Sequence, residues 1–256
     1  MFDSDGFAPS KARLFGKFQS GIERIEFVDV GFRYFSNTSM VLERVNFMIK
    51  SGETVGLIGV SGSGKSTLLD IFMGFLTPCN GVMLVNGITI TEDNLSGWYE
   101  QVSHVPQSIF LIDASVTENI AFGVAPDEVD HDRLNEVLKM TCLFDAVENL
   151  PYGLDTKLGE RGVNLSGGQR QRIGIARALY RGTKVLVLDE ATSALDTTTE
   201  ATLIHNLKSI HKDMIVFIVS HRNRSLKNCT SIYEIKEQTL RKLSSQNASS
   251  IIQSTD

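Results

Sequence analysis

The chain of 256 residues carries 25 Lys and Arg against 30 Asp and Glu, a formal net charge of −5. That balance, with no basic stripe, argues against a clamp for nucleic acid, because phosphodiester backbones are held largely by Lys and Arg. A hydrophobic content of 42% supports one large α/β core, or one core with an attached subdomain, yet the longest apolar runs, VLVL (185–188) and MIVFIVS (214–220), are strand-sized and far below the ~20 residues of a membrane span.

Residues 1–20 mix Gly, Ser, Lys and Phe without a period and are expected to form a linker or tether; no secretory signal opens them. From Ile22, IERIEFVDVGFRY alternates apolar and polar residues, and LERVNFMIK follows after the turn-like SNTS, which predicts antiparallel strands. TVGLIGV is short and nearly continuous, as expected of a strand buried on both faces of a parallel sheet. KSTLLDIFMGFL reads as a helix, VMLVNG as a strand ending in an Asn-Gly turn, and VSHVPQ as a short strand. Between 108 and 165 the pattern becomes helical, opening with a capping box formed by Ser115 and Glu118, and predicts a helical subdomain inserted into the core. KVLVLDE, a helix from about Thr198 to His211, MIVFIVSH and a small terminal sheet complete the core, and the Ser, Gln and Asn-rich tail at 244–256 is expected to fray. Trp98 is expected to be a partly buried aromatic, and Cys79, Cys142 and Cys229, which form no CxxC pair, to be small buried hydrophobes that bind no metal.

Two segments carry anion chemistry. GVSGSGKS, residues 59–66, fits GxxxxGK[ST] between a strand and a helix. Gly59, Gly62 and Gly64, with Ser61 and Ser63 between them, let backbone N–H groups wrap phosphate at a helix N-terminus. Lys65 would reach the β- and γ-phosphates, and the Ser66 hydroxyl would bind Mg²⁺. The second segment, LSGGQ at 165–169, places Ser166 and Gln169 at capping-box spacing on another helix start, which makes a second anion site. One nucleotide hardly needs two such sites from one chain, so the second is expected to close on the γ-phosphate held by another copy.

Taken together, GVSGSGKS, LSGGQ, VLVLDE and SALD resemble the nucleotide-binding domain of ABC ATPases, over about Ile22 to Leu243. The resemblance implies an α/β P-loop NTPase with a RecA-like core, an N-terminal antiparallel β subdomain and a helical signature subdomain. It makes 21–243 the ATPase domain, 108–165 its helical subdomain, and Leu165, Ser166, Gly167, Gly168 and Gln169 a signature acting in trans. It implies that Asp189, with Ser66 and Gln107, holds Mg²⁺, that Glu190 serves the attacking water, and that His221 contacts the γ-phosphate. Tyr34 would stack on adenine, Thr67 would follow Ser66 onto the phosphates, and Ser193, Ala194, Leu195 and Asp196 would form the D-loop that joins two sites across a dimer.

LGERG (158–162) resembles the X-loop of exporter-type members. The implied protein uses ATP and Mg²⁺, pairs head to tail with a second copy and drives a transmembrane domain, expected in the same full-length chain, at the cytoplasmic face of the inner membrane. Lipids or lipid-linked saccharides are the cargo that the resemblance suggests. A soluble ABC ATPase of DNA maintenance or translation, and a stand-alone importer subunit, are the alternatives; the first usually adds a coiled coil, a zinc module or a tandem ATPase domain that this chain lacks.

Overall fold

The computed structural model describes residues 18, 21–35, 39–163, 165–210, 212–220 and 223–244. The tether and tail expectations therefore fall almost wholly outside the described residues, as does His221. Among the described residues, ten strands form two sheets, accompanied by eight α-helices.

The first sheet is antiparallel, in the order β2-β1-β4-β5, from β1 (Arg24–Phe32), β2 (Leu42–Lys50), β4 (Asn80–Val85) and β5 (Ile88–Thr89). Alternation in β1 and β2 sends Ile25, Phe27, Val45, Phe47 and Ile49 inward. Between Phe27 and Val30 the pairing slips, Asp29 adopts a φ of 52°, and its N–H donates to Asn46 Oδ1 at 2.9 Å. This irregularity bends the end of β1 that leads to Tyr34.

The second sheet runs β10-β9-β3-β8-β7-β6, with β3 (Thr54–Ile58), β6 (Val102–Val105), β7 (Val185–Asp189), β8 (Ile215–Val219) and β9 (Ser231–Lys236) parallel and β10 (Thr239–Lys242) antiparallel at the edge. Its continuous apolar runs feed two cores. Along β7, Val185 and Val187 join the core shared with the antiparallel sheet, whereas Leu186 and Leu188 join the core under the helical region. On β8, Ile215, Phe217 and Val219 face the former and Val216 and Ile218 the latter. Period-two side chains on a doubly covered strand account for both runs being apolar throughout.

Helix α1 (Lys65–Met73) and α2 (Leu95–Gln101) pack on the first face. Trp98, expected to be partly buried, is fully buried in α2, edge-on to Phe72 with centroids 6.0 Å apart, and its Nε1 donates to Phe72 O at 3.0 Å. The ring can be enclosed completely because its one polar atom is satisfied. Cys79 is exposed, contrary to expectation, while Cys142 and Cys229 are partly buried. Cys79 lies at the start of the loop-to-β4 approach, where its N–H donates to Gly31 O, and the side chain is left outside the core.

The chain leaves the sheet after β6 and returns on the adjacent β7. In between lie α3 (Val116–Ile120), α4 (His131–Met140), α5 (Phe144–Glu148) and α6 (Gly167–Tyr180), which pack against the second face. Helices α7 (Thr197–Ile210) and α8 (Asn223–Leu226) flank β8. Among the described residues no helix is long and apolar enough to cross a membrane.

Candidate functional site

Parallel strands in register place their carboxyl ends on one edge, where such sheets bind ligands. Leu57 pairs with Val219, Val219 with Asp189, and Leu188 with Val105, so segments beginning at residues 59, 106, 190 and 220 emerge side by side.

The phosphate-loop candidate follows β3. Gly64 is the N-cap of α1 with a φ of 105°, a conformation that favours glycine, and no side chain caps the helix start. The first-turn N–H groups therefore lack a side-chain acceptor, the condition that suits an anion. Lys65 Nζ donates to Gly59 O at 2.7 Å and Val60 O at 3.0 Å. Burial lowers the pKa of this ammonium, an effect opposed by Glu190 and Asp189. Ser63 Oγ is buried and has no hydrogen-bond partner among the described residues.

Around the loop a cleft of ≈ 460 Å³ is lined by Tyr34, Ser61, Gly62, Lys65, Ser66, Thr67, Asp189 and Glu190, among others. Tyr34 stands edge-on to Phe32 at 5.0 Å and its hydroxyl lies 3.2 Å from Thr67 Oγ1, so the ring is held over the start of α1. Asp189 ends β7, with its Oδ2 3.9 Å from His104 Nε2 on the neighbouring strand. Glu190 turns away with a φ of 51°, and its Oε2 accepts from Gln107 Nε2 at 2.9 Å. A cation, uncapped helix N–H groups, a hydroxyl and a carboxylate around one cleft fit a triphosphate with a divalent ion: the donors match phosphate oxygens, and Ser66 with Asp189 offers hard oxygen ligands. Among the described residues no cluster of three or more His, Cys, Asp or Glu forms a protein-only metal cage.

The signature candidate is built differently. At the start of α6, Gln169 N donates to Ser166 Oγ at 3.2 Å and Ser166 N to Gln169 Oε1 at 2.8 Å, the expected capping box. Gly168 lies so close to Ala194 that a Cβ there would be 3.0 Å from Ala194 O, which fits the segment tightly against Ser193–Asp196. Leu165 is buried; its N–H donates to Gly162 O at 3.0 Å, and Arg170 Nη1 donates to Leu165 O at 2.6 Å. Leu195 is buried, and Asp196 Oδ1 accepts from Thr199 N at 2.9 Å at the start of α7. No residue of 165–169 lines the cleft that holds Lys65.

Two buried polar side chains that sequence reasoning passed over organise these loops. Gln171, 5% exposed, contacts the segments of Gln107, Glu190 and Ser193–Ala194. Glu200 Oε1 accepts from Thr192 Oγ1 and Ser225 Oγ, both at 2.6 Å, linking α7 to the turn after Glu190 and to α8. The only advance signal for Gln171 was its place in the QRQR run beside Gln169.

A larger groove of ≈ 920 Å³ opens along β6, lined by Ser103, Phe75, Tyr99, Phe122, Arg177 and Tyr180, among others. Phe75 and Phe122 are more than half exposed. Burial lowers the Arg177 pKa, but its guanidinium is fixed by Asn119 O at 2.8 Å and Phe110 O at 3.1 Å and lies 5.1 Å from the Phe122 ring centroid. Asn119 is fully buried and spans Ile112 N, Ile112 O and Ser115 O, so the groove wall is rigidly braced.

With this geometry in place, comparison with known proteins is specific. A family model described as ABC transporter matches residues 42–193. An ATP-dependent lipid A-core flippase of Haemophilus influenzae is 38% identical over 217 residues, covering 85% of this chain and 37% of that protein. One of the same name from Hahella chejuensis is 40% identical over 209 residues, covering 82% of this chain and 36% of that protein. Among solved structures, that of a bacterial Atm1-family ABC exporter with ATP bound superposes with a TM-score of 0.79 at 30% identity, covering 86% of this chain and 38% of that one. The chain thus spans somewhat over a third of the length of these relatives.

Proposed function

The chain belongs to the ABC transporter family, and from that premise we propose that it is the ATP-binding and ATP-hydrolysing domain of an exporter, residues 21–243 forming the ATPase and 108–165 its helical subdomain. Lys65 pairs with β- and γ-phosphate oxygens, Ser61, Ser63 and Thr67 add hydroxyl contacts, Gly59, Gly62 and Gly64 let the backbone approach, and Tyr34 stacks on adenine. Ser66, Gln107 and Asp189 would hold Mg²⁺, which when bound offsets charge on the β- and γ-phosphates. Glu190 accepts a proton from the water whose oxygen bonds to the γ-phosphorus as the bridge to ADP breaks, and His221 contacts the γ-phosphate.

The observation that carries this reading is the separation of the two anion sites: the cleft around Lys65 includes none of Leu165, Ser166, Gly167, Gly168 or Gln169. Each chain then holds ATP in its cleft and covers the partner copy's γ-phosphate with its signature, while Ser193, Ala194, Leu195 and Asp196 run between the two sites. A head-to-tail homodimer with two ATPs is the working unit. ATPase activity per chain should therefore rise with protein concentration and be low when dilute. Specific activity that stays constant on dilution would overturn the shared site.

A transmembrane domain of the same full-length protein would dock near Gln107 and the turn at 158–162, at the cytoplasmic face of the inner membrane, and that turn favours the exporter over the importer and soluble alternatives. Lipid or lipid-linked saccharide is the cargo that the named relatives suggest. Reconstituted whole protein should move a fluorescent glycolipid between leaflets with ATP; ATP turnover without any such movement would reject that cargo.

A further inference from the structure

Gln171 lies on α6, two residues beyond the capping box, and is 5% exposed. Its side-chain amide reaches two separate segments, one of them at two places. Nε2 donates to Ser193 Oγ at 3.0 Å, with longer contacts to Glu190 O at 3.4 Å and Gln107 O at 3.5 Å. Oε1 accepts from Ala194 N at 2.8 Å. These partners are 19 to 64 residues away in sequence and belong to two different loops at the sheet edge, the one after β6 and the one after β7.

An amide offers two donor hydrogens and one acceptor oxygen. Here every one of these is directed at a loop that carries a proposed functional residue, and burial makes the loss of any partner expensive. The same helix presents Ser166 at its N-terminus. Through one rigid side chain, the position of the signature is thus linked to the backbone on both sides of the Gln107–Glu190 hydrogen bond and to the loop that would reach the partner copy.

We propose that Gln171 is a positioning residue that couples the two ends of the chain's function: it fixes the signature helix, the loop after β6 and the loop after β7 as one body. When α6 moves on closing over the partner copy's nucleotide, Glu190 and Gln107 at the chain's own site move with it. Turnover then depends on Gln171 although it touches no nucleotide, and ATP affinity of the single chain does not. The inference rests on the head-to-tail reading.

The test replaces Gln171 with Leu, which keeps bulk and removes the amide, and with Glu, which keeps an oxygen for Ala194 N and removes the donors. Affinity for a fluorescent ATP analogue is measured at dilute protein, and kcat at saturating ATP and protein. Gln171→Leu should lower kcat at least tenfold with the dissociation constant unchanged within about twofold, Gln171→Glu should lie between it and the parent, and Gln171→Leu combined with Ser193→Ala should be no slower than Gln171→Leu alone. Unchanged kcat, or a loss of affinity as large as the loss of kcat, would overturn the proposal. If Gln171→Leu does not fold, Gln171→Glu is judged by the same two criteria. Constant specific activity of the parent on dilution defeats the shared site itself, independently of any Gln171 result.

Discussion

Gln107 donates a 2.9 Å hydrogen bond from Nε2 to Oε2 of Glu190 across 83 residues of sequence. The bond joins the loop after β6 to the carboxylate after β7, so a change at either is felt at the other. Because the donor is an amide, the bond survives in any variant that retains an acceptor oxygen at residue 190.

Glu190→Gln is accordingly a conservative test: it keeps the side-chain length and an oxygen for Gln107 but removes the base. ATP should bind while turnover falls at least a hundredfold. With both nucleotides retained, the closed form accumulates, so light scattering after size exclusion should show a dimer in ATP and a monomer without it. Adding Ser166→Arg, which puts bulk at the capped start of α6, should abolish that dimer. An ATP-loaded Glu190→Gln chain that stays monomeric, or a double variant that still pairs, contradicts the sandwich.

Lys65→Ala removes the one ammonium among the described residues that line the cleft, and with it the charge-assisted contacts to phosphate, each worth roughly 1.5–3 kcal/mol. A tenfold or greater loss of MgATP affinity is expected. Thermal stability should change little, since the lysine's own bonds are to two loop carbonyls at the cleft surface. Parent-like binding by titration calorimetry would refute the phosphate-loop assignment.

Asn119→Ala should destabilise the domain strongly. It strips bonds from Ile112 N, Ile112 O and Ser115 O and the support of Arg177, all buried or partly so, at a cost of about 1–3 kcal/mol for each group left unpaired. Urea unfolding should show a loss of several kcal/mol; a loss under about 1 kcal/mol would mean that the groove wall is not braced as described.

The cysteines should separate chemically. Burial pushes the Cys229 thiol pKa up to about 12, so its reactive thiolate is scarce at pH 8, whereas Cys79 is exposed. Iodoacetamide at pH 8 should label native Cys79 well before Cys229, and both at similar rates in guanidinium. Early labelling of native Cys229 would contradict its burial.

The parts of this fold that are legible in sequence share a property: their determinants are contiguous. GVSGSGKS specifies its own turn and helix start, Ser166 and Gln169 cap one another over three residues, and the runs on β7 and β8 announce double burial by being apolar throughout. What escaped depends on distant partners. LSGWYEQ is a seven-residue helix too short to show a period, and Trp98 is enclosed only because Phe72, on another helix, supplies both a carbonyl and a ring. Gln171 reads locally as one polar residue in a polar run; its role exists only once two loops distant in sequence converge on it. Nothing in the neighbourhood of Cys79 distinguishes its exposed thiol from the partly buried ones.

The excursion that carries the signature leaves the sheet at Val105 and returns at Val185 on the very next strand, paired with it in parallel. Because the pair is parallel, Val105 lies opposite Leu188 and Val185 opposite Val102, so the two anchors of the helical region sit at opposite ends of neighbouring strands, roughly 10 Å apart along them at ~3.3 Å per residue and about 4.8 Å across. A body held at the two ends of one strand pair can gain or lose length without stretching the sheet, because the closure penalty grows only with the logarithm of the loop. The β6–β7 pair is therefore the mount of the helical region, and the place where a designer could exchange one such arm for another.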